Sequence, residues 1–217
     1  MRITRTARLA SAFAIAALAV GLSACEEEVA TDGPVGSASA SEAPGSSGGQ
    51  TTKTGDVIQD IEPITFYDAE IGLTETCDQI IQDFNAPNYK ATTSINGTVY
   101  LLHCTFTSDG KVPLAVETVA NVILVNEDNN LYNATAQFSS NYEDDYKAAG
   151  IEGIDFDDYG TYQATGWIPL WVQEFDGKIV PMPAGNTTVK YERRALENSA
   201  TGEIYNAYSD STSLVIK

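Results

Sequence analysis

The sequence predicts an all-β domain over residues 56–217, an antiparallel β-sandwich carrying two short helices. Three observations lead there. Hydrophobic residues alternate with period two in several short stretches, clusters of Asn, Asp and Gly separate those stretches, and only two segments carry helix-start spacing.

In chain order, Thr65 to Leu73 reads as the first strand. Thr76 and Gln79 then have capping-box spacing before "IIQDF", with Pro87 beyond the end, which predicts a short helix. From Gly97 to Thr107 the alternation is regular: Tyr100, Leu102, Cys104 and Phe106 share one face, and His103, Thr105 and Thr107 take the other. Val116 to Val125 is apolar at nearly every position and predicts a central strand covered on both sides. Asn126 to Asn130 supplies turn residues, and Leu131 to Phe138 returns with Tyr132, Ala134, Ala136 and Phe138 inward, so this pair predicts a hairpin. Ser140 and Glu143 repeat the capping-box spacing, and Gly150 stands where a helix would close. Gly166 to Phe175, Thr188 to Arg194 and Ser211 to Ile216 complete the strands. Trp167 and Trp171 share a face with Pro169 between them. That predicts an edge strand whose aromatic face packs inward or, in the alternative, lines a sugar-binding surface.

The N-terminus carries an address. Arg2, Arg5 and Arg8 precede an apolar run from Leu9 to Gly21, which is the length of a signal-peptide core and short of the roughly 20 residues that span a bilayer. Leu22, Ser23 and Ala24 then lead directly into Cys25, an arrangement that resembles the bacterial lipobox. The resemblance implies that residues 1–24 are removed and that Cys25 becomes a diacylglyceryl-modified N-terminus. Two acyl chains, palmitate-like in their burial, hold a protein stably at a membrane where a single chain is marginal. The expected location is the cell membrane, with the protein anchored by lipid and facing away from the cytoplasm.

Charge narrows the partners. Losing a segment with three arginines and no acids takes the formal charge from −18 to about −21, a surface that repels nucleic acid and anionic headgroups. Residues 26–65 contain no aromatic side chain and are dominated by Ser, Gly and Ala, so residues 25–55 read as a disordered tether. About 30 flexible residues reach on the order of 30 Å from the lipid.

With Cys25 assigned to lipid, Cys77 and Cys104 remain as a pair, and an exported chain can keep them as a disulfide. The alternative is a metal site formed by Cys77, Cys104 and His103, the single histidine; but strand neighbours point to opposite faces, which sets His103 against Cys104. Two catalytic patterns fail on context. Gly45, Ser47 and Gly49 fit G-x-S-x-G without the strand and helix that a nucleophile elbow needs. Ser108 to Lys111 fits S-x-x-K, but "SDGKVP" reads as a turn. No catalytic residues are assigned, and the chain is not expected to be an enzyme.

The middle strands carry a second resemblance. Asp109 and Gly110 in one turn, Asp128, Asn130 and Tyr132 around the next, and Gly166, Trp167 and Val172 at a strand entry are together similar to an uncharacterised family of immunoglobulin-like domains of bacterial surface lipoproteins. Within this pattern the chain inserts a long segment between Ser139 and Tyr162 and lacks the common glycine of the second turn. The resemblance implies an immunoglobulin-like β-sandwich and transfers no catalytic residue.

The insertion is acidic. Seven carboxylates lie between Glu143 and Asp158 against one lysine, Lys147. Three readings follow: a solvated loop, a calcium site drawing on Asp155, Asp157 and Asp158, or a docking surface for a cationic ligand or another envelope protein through Tyr142, Tyr146, Phe156 and Tyr159. The expected function is therefore a membrane-anchored, non-catalytic binding module. A calcium-dependent adhesion or sensor domain is the first alternative, and an enzyme acting on an envelope polymer is the second.

Overall fold

The computed structural model describes residues 50–128, 133–154, 156–198 and 201–217. Contacts divide the chain into Met1–Ala43 and Pro44–Lys217, and every described residue lies in the second unit. Cys25, Asn130, Tyr132 and Asp155 fall outside the described residues, as does the side chain of Phe156.

Ten strands and three short α-helices follow one another among the described residues. The strands are β1 (Gln59–Asp68), β2 (Leu73–Ile81), β3 (Gly97–Ser108), β4 (Val122–Asn126), β5 (Asn133–Ala136), β6 (Gln163–Gln173), β7 (Thr187–Arg193), β8 (Leu196–Glu197), β9 (Ile204–Tyr205) and β10 (Tyr208–Ser213). The helices are α1 (Pro87–Thr92), α2 (Val116–Val119) and α3 (Glu143–Ala149). Eight strands form one antiparallel sheet in the order β1-β2-β3-β6-β5-β4-β7-β10, and β8 and β9 form a separate small hairpin. The all-β antiparallel class is as the sequence predicts. The division into two facing sheets is replaced by a single sheet that curls nearly closed.

Closure happens at an irregularity. The register of β1 on β2 shifts between Asp60 and Ile64, where Pro63 interrupts the strand. There β1 turns to the chain terminus instead: Ile61 bridges Ile216, the Glu62 amide donates to the Val215 carbonyl at 2.9 Å, and the Lys217 amide donates to Asp60 at 3.0 Å. A bulge bends a strand and strengthens its coil, which is what a curling sheet needs to bring its edges together.

The inner face is the main core. Phe66, Leu73, Leu102, Phe106, Leu124, Leu170, Val189 and Tyr191 all lie in it, with Cys77 and Cys104 joined by a disulfide directly across β2 and β3. A second core lies on the outer face of β3 and β6, where Val99, Leu101, Trp167 and Trp171 pack beneath Phe84, Tyr142, Tyr146 and Ala149. The 3₁₀ turn Ser139–Tyr142 and α3 are thus laid over the outside of the barrel-like sheet.

Several expectations need correction. The helix predicted after Thr76 is strand β2. Leu73, Glu75 and Cys77 point inward, a bulge at Asp78 shifts the phase by one residue, and Ile80 then points inward with Ile81 on the outer core. That phase shift broke the period-two pattern and left a spacing that mimics a helix. The helix of this region is α1, which begins at Pro87, the residue expected to lie beyond its end. The predicted strand Val116–Val125 is α2 followed by β4. The Ala115 amide donates to Thr118 Oγ1 at 2.7 Å and starts the helical turn. Phe138 is exposed instead of inward. The first strand ends at Asp68, and the last runs from Tyr208.

Trp167 and Trp171 are 5 % and 9 % exposed, held in the outer core, and β6 is an internal strand with β3 on one side and β5 on the other. Pro169 is tolerated there because β5 runs out beside it. The Gln137 amide donates to the Pro169 carbonyl at 2.8 Å, so the missing Pro169 donor points to the same side, one residue past the end of β5.

Candidate functional site

The site is built by the acidic insertion, and its first device is a buried carboxylate. Asp145 in α3 is buried and accepts the amides of Asn88 and Tyr89 at 3.0 and 2.9 Å and the Asn88 side-chain amide at 2.8 Å. These backbone donors belong to the first turn of α1, where amides have no partner within the helix. A carboxylate from a distant segment therefore caps α1 and ties it to α3.

Aromatic rings complete the joint. Tyr89 stacks on Tyr142 with centroids 4.2 Å apart and meets Trp171 edge-on at 5.3 Å. Tyr146 lies against Phe84 at 5.9 Å and Tyr142 at 6.0 Å. Tyr142 and Tyr146, read from the sequence as an interaction surface, are instead buried in this outer core. Burial pushes both phenols well above their ordinary pKa, so they stay neutral. Tyr159, from the same set, packs half-buried against the main core.

The helix ends as its sequence predicts, at Gly150 in the left-handed region with φ 71°. Space is tight there as well, because a Cβ on Gly150 would come within 2.7 Å of the Lys53 side chain. Residues 50–55, assigned by composition to the tether, are part of this arrangement: the Lys53 amide donates to Ala149 at 2.8 Å and Thr52 is buried. Downstream, Gly153 bridges Trp167 of β6, and the Trp167 amide donates to Glu152 at 2.9 Å. The insertion is thus pinned to the outer face of the sheet at both ends.

Between α3 and this return strand lies a cleft of about 880 Å³ lined by Glu143, Glu152, Asp157 and Asp158, with Lys53 and Lys147 also present. Its size is within the range of small-molecule sites. Asp157 and Asp158, two of the three calcium candidates, are here, in a 3₁₀ turn; Asp155 lies outside the described residues. Among the described residues, one group of three potential ligands comes within 4.8 Å of one another, and it is Glu75, Cys77 and Cys104 inside the sheet. The two sulfurs of that group are oxidised to the disulfide. His103, the other metal candidate, points outward, where its Nδ1 lies 2.8 Å from Asp78 and its ring 5.2 Å from Trp167. Ser108 closes a turn: its hydroxyl donates to the Val112 carbonyl at 2.7 Å, and the Gly110 amide donates to Ser108 at 3.2 Å.

Two polar features of the inner face escaped sequence reading. Asp68 and Arg193 form a buried ion pair, with Nε donating to Oδ2 at 2.5 Å, Nη2 to Oδ1 at 3.2 Å and the Tyr191 hydroxyl to Oδ2 at 3.3 Å. Glu75, only 1 % exposed, sets Oε1 3.5 Å from Cys77 Sγ and leaves Oε2 without a hydrogen-bond partner, and burial raises its pKa well above the ordinary carboxyl value. Asp68 sits at an inward position of β1, and Glu75 at an inward position of β2 that is readable only with the correct phase of that strand.

No family model, curated protein or solved structure matches the chain.

Proposed function

We propose that the protein is a non-catalytic binding module, anchored by lipid on the outer side of a bacterial cell membrane, and that the cleft of the acidic insertion is its binding site. One observation carries the proposal. The insertion is not a loose acidic loop: Asp145 ties α3 to α1, aromatic rings pack beneath α3, and a cleft of about 880 Å³ opens between α3 and the return segment. Binding and recognition sites are commonly presented in this way by loops on a rigid scaffold. The lipobox-like "LSAC" and the Ser/Gly/Ala-rich stretch that follows supply the anchor and spacer of the proposal. The finer reading, an immunoglobulin-like domain of a surface lipoprotein, rests on the middle-strand motifs alone, and the proposed function does not depend on it.

Fractionation of producing cells tests the anchor. The intact protein is expected in the membrane fraction and the Cys25→Ser form in the soluble fraction. Equal membrane association of both forms would overturn it. Crosslinking in intact cells tests the module, with the expected result a reproducible envelope species lost in Cys25→Ser and in cleft variants. A crosslinked species that persists in the cleft variants would remove the cleft from the proposal.

A further inference from the structure

We propose that Glu75, Cys77 and Cys104 form a zinc site when the disulfide is reduced, the ion taking the place of the S–S bond as the link between β2 and β3. The site lies in the inner core and does not depend on the binding role given to the cleft.

Strand geometry brings the three groups together. Glu75 and Cys77 are two residues apart on β2 and share its inward face, and Cys104 stands directly opposite Cys77 on β3. All three are buried, and a carboxylate oxygen and the two sulfurs lie within 4.8 Å of one another. The spacing has the scale of a coordination shell. Tetrahedral zinc holds sulfur at roughly 2.3 Å and carboxylate oxygen at roughly 2.1 Å, which sets two such ligands about 3.6 Å apart. Glu75 Oε1 stands 3.5 Å from Cys77 Sγ. The sulfurs, once freed from each other, have to part to about 3.8 Å, a move within reach of side-chain rotation on directly opposed residues.

Glu75 supplies the independent observation. It is 1 % exposed, its Oε2 has no hydrogen-bond partner among the described residues, and burial raises its pKa. A disulfide needs no carboxyl beside it, and an apolar side chain would fill the place without the desolvation penalty. Buried carboxylates are otherwise paired or bound to metal, and Arg193 of the same core is already held by Asp68. Two thiolates with one carboxylate suit zinc, whereas calcium takes oxygens alone. His103, the third ligand expected with these cysteines, faces outward to Asp78; Glu75 takes that place.

The exchange balances. A dithiol gives two electrons and two protons to the disulfide, which leaves Cys77 and Cys104 as thiols and the dithiol as its own disulfide. Zinc then displaces one proton from each thiol and one from Glu75, releasing three to solvent. Both cysteines are fully buried, so reductant and ion reach them while the sheet is open, and the ion is captured as the chain folds.

The test uses the Cys25→Ser form, which removes a competing thiol. The chain is unfolded with dithiothreitol, freed of it without oxygen, and refolded with zinc or with cobalt. One zinc per chain should stay bound through gel filtration and raise the melting temperature above that of the reduced, metal-free chain. Cobalt should show a thiolate-to-metal charge-transfer band. Glu75→Gln is expected to weaken zinc by at least about tenfold, the loss that even an outer-shell partner causes. Cys77→Ser with Cys104→Ser should abolish binding, His103→Ala should leave it intact, and the oxidised protein should bind none. A reduced chain that folds without retaining zinc, or fails to fold in its presence, would overturn the proposal. So would equal retention by Glu75→Gln, which would make the ion an adventitious guest of the thiols, or loss in His103→Ala, which would give the third ligand to the outer face.

Discussion

The two cores of this domain are held by different polar devices. On the inner face, Asp68, Arg193 and Tyr191 satisfy one another and a disulfide crosses β2 and β3, while the buried Glu75 leaves one carboxylate oxygen without a partner. Against the outer core, the buried carboxylate of Asp145 is satisfied by the first turn of α1, and stacked aromatic rings fill the space beneath α3. The inner core is therefore arranged to hold the sheet closed. The outer core is arranged to hold the insertion in place. The difference teaches where change is tolerated: substitutions inside should act on the fold, and substitutions under α3 should act on the cleft first.

The largest expected effect breaks the inner ion pair. Arg193→Leu leaves Asp68 buried without its cation and should cost about 3–5 kcal/mol in denaturant unfolding. Pairing it with Asp68→Leu should restore most of that stability, because a buried pair replaced as a unit by apolar side chains is often neutral. A double variant as unstable as Arg193→Leu alone would mean that the pair fixes the geometry of β7 against β1 rather than balancing charge.

Next comes the disulfide, which closes a loop of 27 residues in sequence separation. Replacing Cys77 and Cys104 together with serine should lower stability by about 3.5 kcal/mol from loop-closure entropy. For a domain of this size that is a drop in melting temperature on the order of 10 °C. The crosslink pattern of the folded fraction should survive, since the disulfide lies in the inner core and the cleft over the outer face of β6. Loss of the crosslinks with the fold intact would show that the two cores are coupled.

How much of this was legible in the sequence depends on phase. β3 was readable because Tyr100, Leu102, Cys104 and Phe106 keep one phase along it, and α3 because Gly150 marks its end. β2 was misread because one bulged residue, Asp78, inverts the alternation halfway along. The same error hid Glu75, which is inward only when β2 is a strand. Barrel-like closure was not legible, because it depends on Ile61 meeting Ile216 across nearly the whole described chain, a pairing with no local signature. For the site, composition identified the acidic segment but not its structure. Asp145 looked like one acid among seven, and only the position of α1 distinguishes it as a cap. Tyr142 and Tyr146 read as surface aromatics because their burial comes from Trp167, Trp171 and Phe84, contributed by distant elements.

The smallest effect, when measured in acid, is expected from Glu75→Gln, and its pH dependence sharpens the comparison further. In the folded protein the carboxyl holds its proton above its ordinary pKa of 4.5, because the apolar interior penalises the charged form. Below that value both folded and unfolded chains are protonated at this group, so replacing it with the neutral amide should change stability little. As pH rises past 4.5 the unfolded chain releases the proton while the folded chain retains it. Folding is then opposed by about 1.4 kcal/mol for each pH unit until the folded carboxyl itself ionises. Wild-type stability should therefore fall across this window relative to Glu75→Gln, and the gap should level off above the raised pKa. Parallel stability curves for the two proteins would mean that Glu75 is charged inside the sheet. The inner core would then have to supply a counter-charge, and Arg193, already paired with Asp68, would be shared between two acids.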